Sequence, residues 1–239
     1  MSVTLERKKT PHDRLGEIIE TLEVRGLFAQ IGLGHGESAR TILNKIPSDK
    51  KLVIIDPYGS IGMRTIHADK LGYPDSWLAR DNDFSVEVLS KLYLWSYQQK
   101  KHFLFYPMED VEFFERFQTG IFYYDEGEQI RTNEYGFVYF NAENCIGDLI
   151  EGIRFMDERT PKDGVWIFNN INDYNTRQQE LLDELMEEAN MDVQWESDFL
   201  VATKTIEPSD CLKPKQEAYA EDNETLTADV STDPSITYH

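Results

Sequence analysis

The chain has 239 residues, of which 40% are hydrophobic, and its 44 acidic against 24 basic residues give a formal net charge of −20. A field of this sign repels polyanions, so a nucleic-acid partner is disfavoured. No apolar run approaches the roughly 18 residues that a membrane span needs, and the charged N-terminus does not resemble a signal peptide. The two cysteines, Cys145 and Cys211, match neither a disulfide framework nor a zinc motif, and we expect a cytoplasmic protein.

The N-terminal quarter of the chain alternates between helical and strand patterns. Its predicted elements are a helix that starts at Thr10 and ends by Gly26, a strand over 27–31, a glycine loop over 32–36, a helix over 37–45 and a strand over 51–56. This order is typical of the opening of a parallel doubly wound sheet.

The remaining chain continues the alternation and then changes composition. The predicted elements are an insertion over 57–84 with a short helix near Ile66, a helix from Ser85 to Gln99, a strand over 102–106, a short helix over 109–118, an irregular stretch or hairpin over 120–135, a strand over 137–140, a helix over 145–158, a strand over 165–168, a helix over 176–189 and an antiparallel pair near 192–196 and 199–204. From residue 205 onward, charges and prolines replace large apolar residues. We therefore predict a domain over 1–204 and a flexible acidic tail over 205–239.

The glycine loop Gly32-Leu33-Gly34-His35-Gly36 is the clearest chemical signal in the sequence. It follows a predicted strand and opens a helix, where glycines let the backbone approach a ligand. A dinucleotide fingerprint needs a glycine at position 37, but Glu37 stands there and would repel a pyrophosphate. The spacing favours S-adenosylmethionine over a nicotinamide cofactor. A turn that serves only the fold is the other interpretation.

Asp56 ends the second predicted strand, twenty residues after Gly36. A carboxylate at this place can accept hydrogen bonds from both ribose hydroxyls of a nucleotide. A helix cap or a solvated strand end is the alternative interpretation of Asp56. The combination of this acid with the glycine loop is more specific than either feature alone.

Four stretches, 30–39, 53–58, 138–144 and 162–170, resemble successive motifs of class I S-adenosylmethionine-dependent methyltransferases. Over residues 15–204 the chain is most similar to the small-molecule O-methyltransferase branch that includes macrolide-sugar and cephalosporin-tailoring enzymes. The resemblance implies an α/β fold with a Rossmann-like doubly wound, mostly parallel seven-stranded sheet and an antiparallel last strand. It also implies a cofactor site formed by Gln30, Gly32, Gly34, Gly36, Asp56, Met108, Glu109 and Asn141.

The sequence departs from this family pattern at four positions that commonly carry acids. Gln30, Asn141, Asn169 and Asn170 are all neutral amides here. Divalent cations such as magnesium prefer carboxylate ligands, so we predict that the chain has no metal site. The same replacements support a second hypothesis, in which the domain has lost catalysis and serves as a binding or assembly module.

The leading hypothesis is methyl transfer to an oxygen of a small-molecule acceptor without a metal. Deprotonation of the acceptor needs a base near the carboxyl edge of the sheet, and Tyr58, His67 and Glu143 are the candidates. Glu37 disfavours a third hypothesis, a nicotinamide-dependent oxidoreductase. The sequence leaves self-association into a homo-oligomer open.

Overall fold

The computed structural model describes residues 9–57, 75–125, 127–141, 146–169, 171, 174–196 and 199–208, without the side chains of 75–85 and 146–148. The three candidate bases, Tyr58, His67 and Glu143, lie outside the described residues, as do Asn170 and most of the predicted tail. Within the described part of the chain, no helix combines the length and the apolar character that a membrane span requires.

Helices and strands alternate along the described chain. The helices are α1 (Pro11–Glu20), α2 (Glu37–Lys45), α3 (Asp75–Gln99), α4 (Asp110–Arg116), α5 (Ile146–Asp157) and α6 (Thr176–Glu188). The strands are β1 (Leu27–Ile31), β2 (Leu52–Ile55), β3 (Phe103–Tyr106), β4 (Ile121–Asp125), β5 (Glu128–Thr132), β6 (Tyr135–Phe140), β7 (Val165–Asn169), β8 (Met191–Trp195) and β9 (Phe199–Lys204).

Seven of these strands form one sheet in the order β3-β2-β1-β6-β7-β9-β8. Neighbours from β3 to β7 pair in parallel, whereas β9 pairs antiparallel with both β7 and β8. The predicted doubly wound sheet with an antiparallel last strand is therefore confirmed. Its strand order reverses at β1, between β2 on one side and β6 on the other, and open α/β sheets bind ligands at such a reversal.

Both faces of the sheet are covered by helices. Helices α1, α2 and α3 pack on one face with Phe28 and Ile54, and helices α4, α5 and α6 pack on the other with Ala29 and Val53. Every residue of β1 and β2 is buried for this reason. Near-continuous apolar strands are what a parallel sheet buried on both faces requires.

Two predicted helix boundaries are wrong. Helix α3 begins at Asp75 rather than Ser85, because no proline or glycine interrupts 75–99 and the three aspartates and one asparagine there lower helix propensity only moderately. Helix α1 ends at Glu20, well before Gly26. The Thr21 hydroxyl donates to the Ile18 carbonyl oxygen at 2.8 Å and closes the last turn.

Strand β6 begins at Tyr135, two residues earlier than the apolar run predicts. Gly136 weakens the strand pattern in the sequence, but glycine is required there for packing. A Cβ atom on Gly136 would lie 1.9 Å from the carbonyl oxygen of Arg25. The irregular stretch that precedes β6 forms the antiparallel hairpin β4–β5, as one of its two interpretations predicts.

An ion pair joins helix α1 to the residue that follows β8. The Arg14 guanidinium donates from Nε and Nη2 to the two carboxylate oxygens of Glu196, at 2.7 and 2.6 Å. The Glu196 side chain is only 15% exposed. The hydrogen bonds from Arg14 lower the pKa of Glu196.

Replacing Glu196 with Gln is expected to lower the free energy of unfolding at neutral pH by about 1 kcal/mol, because a bidentate, partly buried pair is lost. A carboxylate whose pKa is lowered by folding stabilises the folded state fully at pH values above its pKa in the unfolded chain, about 4.3. This stabilisation disappears as the pH falls through the lowered pKa of the folded state. Urea unfolding of the parent and the variant at neutral pH and at pH ~3 measures the difference in their free energies of unfolding, which should become smaller at the acidic pH. A gap of equal size at both pH values would contradict this assignment. Glu180→Gln, in an exposed pair with Arg177, is the control and should change little.

Candidate functional site

The glycine loop lies at the carboxyl end of β1, between this strand and α2. Gly32, Gly34 and Gly36 have φ angles of +83°, +53° and +76°, which favour glycine over any residue with a side chain. The Leu33 side chain between them is fully buried under the helices of the first face. The loop is thus anchored inward by Leu33, and Gly36 is buried next to Val88, whereas the backbone at Gly32 and Gly34 is partly exposed.

One peptide unit of the loop is held from both sides. The Gly32 carbonyl oxygen accepts a hydrogen bond from Gln30 Nε2 at 2.8 Å and a longer one from Asn141 Nδ2 at 3.4 Å. The N–H of Leu33, which belongs to the same peptide unit, donates to Asp56 Oδ2 at 2.5 Å. Side chains from β1 and from the ends of β2 and β6 therefore fix the plane of the Gly32–Leu33 peptide.

The amide of Asn141 connects this peptide to β7. Asn169, at the end of β7, donates from Nδ2 to Asn141 Oδ1 at 2.9 Å. Asn141 thus accepts from one neighbour and donates to another, which an amide can do and an ionised carboxylate cannot. The hydrogen bonds run in one direction, from Asn169 through Asn141 to the Gly32 carbonyl. This series of hydrogen bonds gives a physical reason for amides at Asn141 and Asn169, two of the four positions where the sequence departs from the family pattern.

Gln30 is completely buried beneath the loop. Besides the Gly32 carbonyl, its Nε2 donates to the hydroxyl of Ser38 at 2.9 Å, whereas its Oε1 has no hydrogen-bond partner among the described residues. A buried acceptor without a donor is costly, and native proteins contain few of them. Gln30 Oε1 is therefore a candidate acceptor for a donor group on a ligand.

Asp56 follows β2 and is 8% exposed. Its backbone N–H donates to the Tyr106 carbonyl at 3.2 Å, which extends the pairing of β2 with β3 by one residue. An ionised carboxylate offers about four acceptor positions, so Asp56 can serve ligand hydroxyls while it accepts from Leu33. Ribose binding by Asp56 stays a prediction.

The remaining predicted cofactor residues lie after β3. Met108 packs against the core of the second face, and its N–H donates to the Tyr106 carbonyl at 2.9 Å. Glu109 is the N-cap residue of α4. The structure thus brings Gln30, the glycine loop, Asp56 and Asn141 into direct contact, and it places Met108 and Glu109 at the end of a neighbouring strand. Their contact with adenine stays a prediction.

Sequence reasoning missed Ser38 and the structural role of Asn169. Ser38 is a polar residue on the buried side of α2, next to the buried Ala39, and that position was the available signal. The sequence alone pointed to Asn169 only as a position where an acidic metal ligand is replaced by an amide. Among the described residues, no group of three or more His, Cys, Asp or Glu side chains is placed to hold a metal ion.

No protein-family model matches the chain, and no curated protein matches it in sequence. Solved structures match it in fold. A candidate O-methyltransferase from Klebsiella pneumoniae has a TM-score of 0.52 at 11% identity, over 84% of this chain and 83% of that one. The O-methyltransferase from Bacillus cereus, in complex with S-adenosylhomocysteine, has a TM-score of 0.50 at 11% identity, over 84% of each chain.

This chain has the fold of class I methyltransferases. At this level of identity the likeness concerns the fold alone. Within this methyltransferase fold, the glycine loop, Asp56, Asn141 and Asn169 lie at the carboxyl ends of β1, β2, β6 and β7. They surround the reversal of strand order, where a parallel α/β sheet provides its ligand crevice.

Replacing Asn169 with Asp is expected to loosen the Gly32–Leu33 peptide, because a carboxylate has no proton to donate to Asn141 Oδ1. Loss of a hydrogen bond worth ~1 kcal/mol corresponds to about fivefold faster exchange of the Leu33 amide proton, measured by NMR-detected hydrogen exchange. Asn190→Asp removes a comparable amide donor, to the Glu188 carbonyl at the end of α6, and serves as the control. Equal exchange rates for Leu33 in both variants and the parent would show that Asn169 does not position the loop.

Proposed function

We propose that this chain is an S-adenosylmethionine-dependent methyltransferase that methylates an oxygen of a small molecule. The observation that carries the proposal is the Gly32–Leu33 peptide held by Gln30, Asn141 and Asp56 at the strand-order reversal. This arrangement keeps a side-chain-free backbone in one conformation next to a carboxylate. The methyltransferase fold of the two solved neighbours supports the same function, and one of them is in complex with S-adenosylhomocysteine.

The groups present fit the hydrogen-bonding capacity of an adenosyl amino acid. Such a molecule offers an ammonium group and two ribose hydroxyls as donors, and the site offers the unpartnered Gln30 Oε1 and the Asp56 carboxylate as acceptors. Among the described residues, the single atom within 4 Å of a hypothetical Cβ on Gly34 is Asn141 Nδ2. The partly exposed backbone at Gly32 and Gly34 would let the amino-acid end approach closely.

Each residue has a separate task in this proposal. Gln30 would accept from the ammonium, Asp56 would accept from the ribose hydroxyls, and Met108 and Glu109 would contact adenine. The bound cofactor supplies a methyl group that its sulfonium already activates. The protein's contribution is alignment of the acceptor hydroxyl with that methyl group, together with removal of the hydroxyl proton. We assign the base to Tyr58, His67 or Glu143.

We further propose that the reaction proceeds without a metal ion. Asn141 uses its amide oxygen for Asn169 and its amide nitrogen for the Gly32 carbonyl, and neither group carries charge. Binding a hard divalent cation there would require breaking these hydrogen bonds without the compensation that a carboxylate offers. The acceptor is proposed to be a small molecule and not a nucleic acid, in view of the net charge of −20, and the location to be the cytoplasm.

A second candidate function is a methyltransferase-like domain that has lost catalysis and acts as a binding or assembly module. The observation that favours it is the position of Asn141 Nδ2, 2.8 Å from where a Gly34 Cβ would be. With this side chain across the loop, Asn141 is hydrogen-bonded to Asn169 and to the Gly32 carbonyl without a ligand. Titration with S-adenosylhomocysteine distinguishes the candidates, since micromolar binding supports the enzyme and absence of binding supports the module. NADH binding without S-adenosylhomocysteine binding would instead support an oxidoreductase.

Substitutions of Asp56 test the proposed ribose contact by isothermal titration calorimetry with S-adenosylhomocysteine. Asp56→Asn retains an acceptor for the Leu33 N–H but loses the charge, so affinity is expected to fall about tenfold or more. Asp56→Ala also loses the anchor of the loop and should bind more weakly still. Asp163→Asn makes the same acid-to-amide change at an exposed turn and should bind like the parent. Parental affinity in Asp56→Ala would refute the ribose contact.

Metal independence is tested by measuring S-adenosylhomocysteine affinity with a chelator and with added magnesium, which should give equal values for the parent. The double variant Asn141→Asp/Asn169→Asp places two carboxylates side by side, and magnesium should raise its melting temperature while leaving that of the parent unchanged. A parental affinity that falls with the chelator and returns with magnesium would contradict the proposal.

A further inference from the structure

The outward side of helix α3 carries large apolar side chains. Val86, Tyr93, Leu94 and Tyr97 are 59%, 50%, 59% and 82% exposed, and we call them the outer stripe of α3. The buried side of the same helix packs Val88 and Leu92 against the sheet. At 100° per residue Val86, Leu94 and Tyr97 point away from this buried side and Tyr93 lies at its border. A helix side that faces only water carries polar residues instead.

The spacing of the outer stripe suits contact with another helix. Val86, Tyr93 and Tyr97 of the stripe, with the polar Ser90 between the first two, follow one another at steps of four, three and four residues, and Leu94 flanks this row. Such steps are the heptad pattern of a helix–helix seam. The ring of Tyr93 packs on Phe103 of β3 with 4.8 Å between centroids, and this contact holds the stripe against the sheet. A surface that is already ordered loses less entropy when it binds.

The charges around the stripe run against those of the whole chain. Residues 86–102 contain one acid, Glu87, and three lysines at 91, 100 and 101, so their net charge is +2 in a chain of −20, whereas the preceding part of α3 contributes Asp81 and Asp83. A strong net charge causes electrostatic repulsion between two copies of the chain. This repulsion is weakest at a surface whose local charge is opposite in sign to the net charge. The overall negative charge equally disfavours an anionic membrane as the partner.

The order of these charges along α3 favours one relative orientation of two packed α3 helices. Glu87 stands near the start of the stripe, and Lys100 and Lys101 stand just after its end. If two α3 helices pack antiparallel, Glu87 of each copy, which also pairs with Lys91 of its own helix, lies near Lys100 and Lys101 of the other. Parallel packing would place like charges side by side, which is destabilising. The charges are therefore complementary to those of a second copy in the antiparallel orientation.

The end strand of the sheet continues the same surface. Strand β3 closes the sheet order on the side of α3, pairs with β2 in the described structure, and has half-buried residues throughout. A stable interface buries more area than one helical stripe offers, and the adjoining strand edge extends the area available. The contact of Tyr93 with Phe103 joins the outer stripe to β3.

We propose that the outer stripe of α3 binds a second copy of this chain, with the two α3 helices antiparallel about a two-fold axis near residues 91–94. A two-fold interface uses the same patch on both copies, as this arrangement does. The dimer does not depend on methyl transfer, so it stands or falls separately from the proposed function.

Sedimentation equilibrium of the full chain across the micromolar range tests the dimer. The parent is expected to be dimeric, and Leu94→Glu/Tyr97→Glu should weaken association at least about tenfold, because two acids enter the apolar seam. Phe122→Glu/Tyr124→Glu adds two acids at exposed aromatic positions of β4 and should leave the dimer intact. Far-ultraviolet circular dichroism checks that each variant stays folded.

A charge exchange tests the orientation. Glu87→Lys alone and Lys100→Glu/Lys101→Glu alone should each weaken self-association, whereas an equal mixture of the two should form a dimer, because every facing pair is then of opposite sign. A parent that stays monomeric throughout, or a dimer that Leu94→Glu/Tyr97→Glu leaves unchanged, overturns the proposal. A monomer that cosediments with phosphatidylcholine vesicles, and does so less when Tyr97 is replaced, would assign the stripe to a membrane and equally overturn it.

Discussion

The site depends on the immobilisation of a single peptide unit, Gly32–Leu33. Glycines leave the loop open to a ligand, but they also give the backbone more freedom to lose on ordering than other residues. Three side chains counter this freedom, with Gln30 and Asn141 on the carbonyl and Asp56 on the N–H. They meet because the sheet places β2 and β6 on opposite sides of β1. The strand order of the fold is thus what assembles the site.

These contacts explain why amides stand at the motif positions. Gln30, Asn141 and Asn169 form directional hydrogen bonds that end on the Gly32 carbonyl, and each needs an N–H that an ionised acid lacks. Acids at 141 and 169 would repel each other and the carbonyl unless a cation or a proton lay between them. The replacements therefore form a coherent set, in which neutral donors maintain a loop geometry that carboxylates could not maintain alone.

Much of the fold was predictable from sequence because a parallel sheet covered on both faces consists of strongly apolar strands. The positions of β1 and α2, the closing antiparallel pair and the glycine loop agree with their predictions. The start of β6 was not predictable, because Gly136 is there for a close approach to Arg25 that only the folded chain reveals. The contact between Asn141 and Asn169 joins residues 28 apart and depends on strand pairing. Likewise, an apolar helix pattern does not disclose that the outer stripe of α3 faces outward.

In the proposed function, the backbone of the glycine loop receives an adenosyl amino acid beside Asp56. Amide-detected NMR of the labelled full chain during titration with S-adenosylhomocysteine tests it most directly. We expect the amide signals of Leu33, Gly34 and Gly36 to shift in a saturable way, with those of the hairpin β4–β5 unmoved. Saturation at another surface, or loop signals that stay in place at every concentration, would contradict the account and leave only the methyltransferase fold.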